Sequence, residues 1–416
     1  MPTRSSSRWP RIGSGTVVAA GLLATLAVLI CSGRAVGWDA TWRSFGVTPL
    51  QPPFFDMHVV LDYAACAAKG LDAYLPHSCN EDNFNIPPIW LWVGFLGLNG
   101  SDSVWLSGAM IVAALAVMVG LFRNRSAADG ALALFAILSP SVLMGIERGN
   151  LDVLILALVG GAALLYREEN LGRVRAAFAI LAAAIVVKLF PMFCIALGAR
   201  FNRRALLFAG AIAVFSLAYL AAIFPYLVLI RHNVPTTFIL SYGYKAVFLG
   251  LDHMRAEAGL GPIGLADTWL PVAAAAVALL AAAAAAFMSF RNGRLLCPVG
   301  DGVSGTAFLF GGGIYCGTFL LGTNFIYRLM FLLLCVPQLE DWRNQKSENA
   351  QLSTAPERGL FVAVLAVLWL NGNANGHTSF LLLPQVADWL LFVGMAAVLT
   401  ANFLDGIAQR HSRHGK

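Results

Sequence analysis

Long uninterrupted runs of apolar residues are the feature that most restricts how this chain can fold. The run PVAAAAVALLAAAAAAFMSF at 271–290 contains no charged residue. About 20 such residues are needed for a helix to cross the hydrocarbon core of a bilayer. Only 12% of the 416 residues are charged, whereas a soluble domain is typically about 25% charged. The chain is therefore predicted to be a polytopic helical membrane protein, and a soluble globular enzyme is excluded.

Hydropathy predicts about ten transmembrane spans, all in a single integral membrane domain at 1–416. The predicted spans lie at 14–36, 102–122, 128–146, 151–166, 205–226, 268–290, 303–323, 327–341, 359–372 and 381–404. The first is interpreted as a retained span, because no small-residue cleavage site precedes a soluble domain. The predicted fold class is all-α, with one or two short re-entrant or interfacial half-helices in addition to the spans.

Two apolar stretches are too irregular or too short to be ordinary spans. Lys188 and Pro191 interrupt the stretch 175–198, and arginines flank both of its ends. This pattern predicts a hairpin of two short helices that enters and leaves on one side. Such broken helices are tolerated only when they are buried in protein or line a cavity. The run 87–98 predicts a further half-helix.

The distribution of Lys and Arg predicts the orientation of the chain. With the N-terminus in the cytoplasm, alternating spans place 19 of the 28 basic residues on the cytoplasmic side, eight outside, and Lys188 within the membrane. Both termini are then cytoplasmic, as expected for a protein of the bacterial inner membrane. The formal net charge of +6 is therefore a topology signal, and no nucleic-acid partner is predicted.

The long connections fall on the predicted outer face. They are the first extracytoplasmic loop at 37–87, with an amphipathic interfacial helix predicted over 57–69, and a second long loop at 227–267. Cytoplasmic loops are short and basic. Because binding and catalytic residues concentrate on long structured loops, the chemistry is predicted on the extracytoplasmic side.

Asp56 stands at the start of the predicted interfacial helix, whose apolar stripe is Val59, Tyr63 and Cys66. An aspartate at this position is either the N-cap of the helix or a functional carboxylate. Shielded at the membrane surface, the carboxylate would have a raised pKa and would act as a general base on a sugar hydroxyl. His58 would lie on another face of the helix, so it is the weaker candidate.

Arg148 lies in the segment GIERGNLDVLIL between two predicted spans. It would either pair with Glu147 or Asp152, or bind a phosphate, for which the guanidinium group is well shaped. Asn150 or Asp152 would cap the helix that follows. Charges so close to the hydrocarbon are costly unless paired, and they usually serve a function.

Arg328 is predicted one turn into a span, at its outer end. It would either extend to the lipid headgroups or hold an anionic headgroup together with Asn324, which lies four residues earlier on the same helical face.

Lys188 in the hairpin requires a carboxylate, a carbonyl or a lipid phosphate as its partner. Lys245 and His377 are candidates for phosphate or sugar contact, or else solvated loop residues.

Cys66 and Cys79 both fall in the first outer loop. In an oxidising compartment they would form a disulfide, or they would remain two free apolar side chains. The other cysteines lie in or beside predicted spans. No Cys/His spacing resembles a zinc site, so no metal or other cofactor is predicted.

Four stretches of the chain carry a resemblance to a known family. They are FFDMHVVLDYAACAAKGLDAY followed by FNIPPIW, then ERGNLDVLILAL, then VVKLFPMFCIALGARFNRR, then NFIYRLMFLL. In this order they resemble the first loop, a turn between spans, a Lys-Leu-x-Pro hairpin and an Arg-bearing span of the GT-C superfamily of membrane glycosyltransferases. Within it the chain is most similar to the bacterial polyprenyl-phosphate-mannose-dependent mannosyltransferases, which include enzymes that build phosphatidylinositol mannosides. It departs from them at Ile86, where an aromatic residue is usual, and at Arg148-Gly149-Asn150, where many members have Gly-Gln.

The resemblance implies an inverting glycosyltransferase. It would move mannose or another hexose from a polyprenyl-phosphate donor to a hydroxyl of a lipid-linked or cell-envelope glycan. Asp56 is implied as the base on the acceptor hydroxyl, while Arg328, Arg148, Lys188 and His377 would stabilise the leaving polyprenyl phosphate. The implied partners are the donor, the acceptor and membrane lipids, and the chain is expected to be a monomer.

The competing hypothesis from another class is a secondary transporter or a lipid or glycolipid flippase. Such a protein would show an inverted repeat and charges at the bilayer midplane, whereas this sequence shows no repeat and only Lys188 near the midplane. An O-antigen ligase or polymerase is a third hypothesis. Those enzymes usually carry their large outer loop late in the chain, whereas here the richest loop is the first.

Overall fold

The computed structural model describes residues 13–75, 79, 84–123, 125–292, 297–348, 355–372 and 382–414. Helices make up 78% of the structure, which confirms the predicted all-α class. A two-stranded antiparallel ribbon is formed by β1 (Ser241–Tyr242) and β2 (Asn324–Phe325), with Ser241 opposite Phe325. This ribbon joins the second long loop to the segment that carries Arg328.

The described part of the chain contains 16 α-helices and five 3₁₀ helices. The α-helices of the first half are α1 (Ser14–Val36), α2 (Trp38–Ser44), α3 (Phe55–Ala68), α4 (Ser103–Phe122), α5 (Ala127–Ile137), α6 (Pro140–Glu147), α7 (Leu151–Leu165) and α8 (Leu171–Val187). Those of the second half are α9 (Arg203–Ala222), α10 (Phe224–Asn233), α11 (Ala246–Glu257), α12 (Leu270–Arg291), α13 (Val303–Phe319), α14 (Val336–Glu348), α15 (Ala355–Leu370) and α16 (Leu382–His414). The 3₁₀ helices are η1 (Pro88–Leu96), η2 (Gly100–Asp102), η3 (Phe190–Arg200), η4 (Leu265–Asp267) and η5 (Ile326–Leu334).

Five helical segments in the described part of the chain are long and apolar enough to cross a membrane. They are α1, Gly100–Phe122, α9, α12 and Leu382–Arg410 within α16. The segment predicted as one span at 128–146 is instead bent by 60° between α5 and α6, and it would count as a sixth. Pro140 begins α6, and proline cannot continue a preceding helix because it lacks an N–H and its ring collides with the carbonyl one turn earlier. The larger number of about ten spans stays a prediction.

Several of the other predicted spans are shorter or broken. The region 327–341 contains η5 and the start of α14 rather than one straight helix, and α7, α13 and α15 have 15, 17 and 16 residues. Most residues of α7, α13 and η5 are buried within the protein. A helix enclosed by other helices does not have to match the thickness of the bilayer with its own apolar length.

The fold is therefore layered, with short buried helices inside and long helices outside. In α1, α4 and α12, less than a third of the apolar stretch is buried within the protein, so most of their apolar surface is available to lipid. Gly313 and Gly317 allow α13 to approach η3 closely, because a side chain at either position would collide with Phe193. The core thus depends on backbone contact between α13 and the hairpin.

The stretch 175–198 folds as the predicted pair of helices, α8 and η3, with Lys188 at the break. Both ends of the pair return to the same place, because Asn202 Nδ2 donates to Glu168 Oε2 at 2.9 Å and Arg200 Nη1 lies 3.3 Å from Glu168 Oε1. The short run 87–98 forms η1, and Trp90 Nε1 in this helix donates to the carbonyl of Val187 at 3.1 Å. The tip of the hairpin is thereby held against η1.

The helix predicted as interfacial, α3, begins at Phe55, and its N-cap position is Phe54, which has φ 57°. Asp56 is therefore not the N-cap: it lies in the first turn, where its backbone N–H donates to the carbonyl of Arg148 at 3.0 Å. Tyr63 and Cys66 of the predicted apolar stripe are buried, whereas Val59 is half-buried. The structure links Cys66 to Cys79 by a disulfide, with the two Cα atoms 6.0 Å apart.

Candidate functional site

A cavity of about 400 Å³ lies where α3, α7, the tip of the hairpin, η5 and the second long loop meet. This volume falls in the range of small-molecule sites. The charged residues that line it are Asp56, Arg148, Lys188 and Arg328. The structure thus brings together four of the residues singled out in the sequence, although they come from segments up to 272 positions apart.

The turn between α6 and α7 supplies Arg148 and Asn150. Gly149 in this turn has φ 57°, and a side chain there would collide with Ser107 and Phe54. Glycine is therefore required both by the backbone conformation and by the close approach of the start of α3. Asn150 is the N-cap of α7, since its Oδ1 accepts the N–H of Asp152 at 2.9 Å.

Asp56 points to this turn rather than into solvent. Its Oδ2 accepts a hydrogen bond of 2.5 Å from Asn150 Nδ2. Burial raises the pKa of the Asp56 carboxyl, while Arg148, the hydrogen bond from Asn150 and the charge of Lys188 act in the opposite direction. A carboxylate with a raised pKa that is held by one donor is suited to take a proton from a bound hydroxyl.

Lys188 and Arg328 share one acid. Lys188 Nζ contacts Asp152 Oδ1, and Arg328 Nε lies 3.2 Å from Asp152 Oδ2. Asp152 is fully buried, and burial of a carboxylate is tolerated when the group is paired in this way. The Arg328 guanidinium also lies over the ring of Phe190, 4.8 Å from its centroid, so both cations are held in fixed positions.

Arg148 is the least satisfied cation of the cavity. Of the two alternatives for Arg148, the pairing with Glu147 or Asp152 does not form: Glu147 Oε1 accepts the N–H of Leu50 at 3.0 Å, and Asp152 is occupied by Lys188 and Arg328. Arg148 is 9% exposed, and its Nε is buried without a hydrogen-bond partner among the described residues. Its guanidinium therefore has donors available to an anion in the cavity.

Asn324 holds Arg328 in place but does not line the cavity. The two residues were expected on one face of a single helix, but Asn324 lies in β2 and only Arg328 lies in η5. Asn324 Oδ1 accepts from Arg328 Nη1, and its Nδ2 donates to the carbonyl of Thr318 at 2.6 Å. Asn324 is buried, so it orients the guanidinium rather than binding a headgroup.

Of the remaining candidates that the structure describes, Lys245 and His58 are not part of this arrangement. Lys245 does not line the cavity, and its Nζ lies 4.0 Å from the exposed Asp267 carboxylate. His377 lies outside the described residues. His58 is also turned away, because its Nδ1 contacts the carbonyl of Gly100 and its Nε2 lies 3.2 Å from Asp62.

The sequence alone indicated neither that Asp152 is the shared partner of two cations nor that Asn150 donates to Asp56. The sequence marked both residues as possible helix caps, and only tertiary contact gives them these further roles. No group of three or more His, Cys, Asp or Glu side chains in the described ranges is arranged to hold a metal ion. Comparison with known proteins found no match to a family model, to a curated protein or to a solved structure.

Proposed function

We propose that the chain is an inverting glycosyltransferase that uses a polyprenyl-phosphate sugar as donor. It would move mannose or another hexose to a hydroxyl of a lipid-linked or cell-envelope glycan. The observation that carries the proposal is the placement of one carboxylate, Asp56, in the same cavity as three cations, Arg148, Lys188 and Arg328. An acid–base group beside an anion site is the pair of elements that displacement of a phosphate leaving group requires.

In this mechanism Asp56 accepts the proton of the acceptor hydroxyl. The oxygen of that hydroxyl then forms a bond to the anomeric carbon of the sugar while the bond from this carbon to the phosphate oxygen breaks. Polyprenyl phosphate leaves with the electron pair, and its added negative charge is stabilised by Arg148, Lys188 and Arg328. Cations held in a site of low dielectric stabilise such charge more strongly than they would in water.

We also propose that the cavity opens on the extracytoplasmic side of a bacterial plasma membrane that the chain crosses about ten times. Exposed tryptophans support a position of this end of the fold at a membrane interface, because Trp38, Trp92, Trp105 and Trp269 all lie in or beside segments predicted on that side. Tryptophan is enriched at membrane interfaces. The disulfide of the first loop supports the same side, since disulfides persist in oxidising compartments.

Sidedness is testable by labelling in intact cells with a membrane-impermeant maleimide. Two variants each place one new cysteine: Glu169→Cys at the base of the hairpin, and Asp267→Cys in the second long loop. Asp267→Cys is expected to react in intact cells, and Glu169→Cys only after lysis, with the unsubstituted chain as the background. The reverse pattern would overturn the proposed orientation.

The catalytic proposal is tested by transfer from a labelled polyprenyl-phosphate mannose to a membrane glycan extract by the purified chain. Asp56→Asn and Asp56→Ala are expected to lower the rate by about 100-fold or more, the contribution of a general base. Asp62→Asn is the matched control, because Asp62 lies on the same helix but does not line the cavity. Near-normal transfer by Asp56→Asn would contradict the assignment of Asp56 as the general base. The transporter or flippase would be favoured by a different result. In that case the wild type transfers no sugar but moves the substrate across the membrane of sealed vesicles, and Asp56→Asn abolishes this movement.

A further inference from the structure

Asp152 is an acid inside a site that is proposed to bind an anion. It occupies the first turn of α7, where Asn150 accepts its N–H at 2.9 Å. Its two carboxylate oxygens contact cations from two other segments, Lys188 at the break of the hairpin and Arg328 in η5. Asp152 itself is fully buried and does not line the cavity. A substrate therefore meets the two cations but not the acid between them.

The acid changes the charge that the cavity presents. Arg148, Lys188 and Arg328 are balanced in part by Asp56 and Asp152, so the ionised groups leave one net positive charge. Without Asp152 the cavity would carry two, and Lys188 and Arg328 would repel each other at close range. A phosphate monoester carries between one and two negative charges at neutral pH. A cavity without the charge of Asp152 would therefore bind it more tightly.

Tighter binding of the leaving group is not an advantage in itself. Interactions that are as strong in the ground state as in the transition state do not accelerate the chemical step. A product that is bound too tightly slows turnover. A fixed negative charge behind the two cations limits their attraction for phosphate while it keeps their donors aimed at the cavity.

Resting on the proposed function, we propose that Asp152 is a positioning residue that fixes the spacing of Lys188 and Arg328 and limits how tightly the site holds the phosphate product. A purely structural role for the same ion pairs would predict lower thermal stability of variants and weaker, not stronger, phosphate binding. Product affinity therefore separates the two roles.

The experiment measures binding of farnesyl phosphate to the purified full chain in detergent by calorimetry, together with kcat and KM for transfer. Asp152→Asn keeps the shape and removes the charge, and it is expected to bind the probe about tenfold or more tightly than the wild type and to lower kcat. Asp267→Asn removes an equal charge outside the cavity and is expected to bind like the wild type. Unchanged or weaker binding by folded Asp152→Asn would overturn the proposal.

Asp152→Glu decides the question if Asp152→Asn does not fold. It keeps the charge and displaces the two cations by one methylene, so probe affinity is expected to stay within about threefold of the wild type while kcat falls about tenfold. Wild-type kcat in folded Asp152→Glu, or a large change in its probe affinity, would contradict the proposal. Failure of the proposed function is distinguishable, because the wild type itself would then neither transfer sugar nor bind farnesyl phosphate.

Discussion

The side-chain amide of Asn150 donates to the carboxylate of Asp56, joining the N-terminus of α7 to the first turn of α3. The oxygen of the same amide accepts the N–H of Asp152 and lies 3.4 Å from Lys188 Nζ. One asparagine thus caps a helix, holds the proposed base and contacts the cationic side of the cavity. The position of Asp56 relative to the cations is set by this residue rather than by α3 alone.

Asn150→Asp is expected to keep the cap of α7 while placing a second carboxylate against Asp56. A like charge at hydrogen-bond distance raises the pKa of a carboxyl, so the acidic limb of the pH profile of kcat/KM is expected to move to higher pH. At neutral pH the rate is expected to fall about tenfold or more, because less of Asp56 is ionised. Asn150→Ser, which retains a cap without adding charge, is the control and is expected to shift the limb less. An acidic limb that coincides with that of the wild type would contradict the role of Asn150.

Asp56→Asn is expected to make the protein inactive but more stable at neutral pH. The raised pKa of Asp56 means that, above its ordinary value of 3.8, the folded chain keeps a proton that the unfolded chain has lost. Stability therefore falls as pH rises through that window, and asparagine does not incur this loss. The melting temperature in detergent is expected to exceed that of the wild type by roughly a few degrees at neutral pH.

The pH dependence of this difference provides the check. The advantage of Asp56→Asn is expected to shrink as the pH is lowered toward the ordinary pKa of aspartate. A variant that is less stable than the wild type at neutral pH would show that the ionised carboxylate is favourable in the fold, contrary to the effect of its burial.

Arg148→Gln and Arg328→Gln are expected to differ although both remove a cation from the cavity. Arg148 has no hydrogen-bond partner for its buried Nε among the described residues, so its removal breaks no ion pair there. Arg328 contacts Asp152 and Asn324, and breaking a buried ion pair destabilises a fold by about 3–5 kcal/mol. Both variants are expected to bind farnesyl phosphate about tenfold more weakly, whereas only Arg328→Gln is expected to melt at a clearly lower temperature. Equal losses of stability would show that Arg148 has a structural partner.

Local patterns in the sequence were sufficient for the all-α class, for the broken hairpin at Lys188 and for a helix that begins near Asp56. These features depend on apolar length, on interruption by a charge and a proline, and on residues close in the chain. The helix cap at Asn150 follows from the same local rules.

Contacts between residues far apart in the chain could not be predicted from these local patterns. The sequence left open whether Arg148 pairs with a neighbouring acid, and it gave no sign that Asp152 pairs with cations 36 and 176 positions away. The short buried helices depend on which surfaces other helices cover, whereas the bend between α5 and α6 follows locally from Pro140. Helical spacing predicted that Asn324 and Arg328 share one helical face, whereas Asn324 lies in a strand and instead accepts a hydrogen bond from Arg328.

Gly149→Ala is expected to damage the site through the backbone alone. The added methyl group would meet Ser107 and Phe54, and φ 57° is unfavourable for alanine, which together cost about 1–3 kcal/mol. Because this turn provides the carbonyl of Arg148 to the Asp56 N–H, transfer activity is expected to fall about tenfold even in protein that remains folded.

Gly161→Ala is the matched control, since Gly161 lies within α7 with open space beside it and alanine is favoured over glycine inside a helix by roughly 0.5–1 kcal/mol. That variant is expected to retain activity and to melt at the same or a higher temperature. Equal behaviour of the two variants in both assays would show that the turn does not position Asp56.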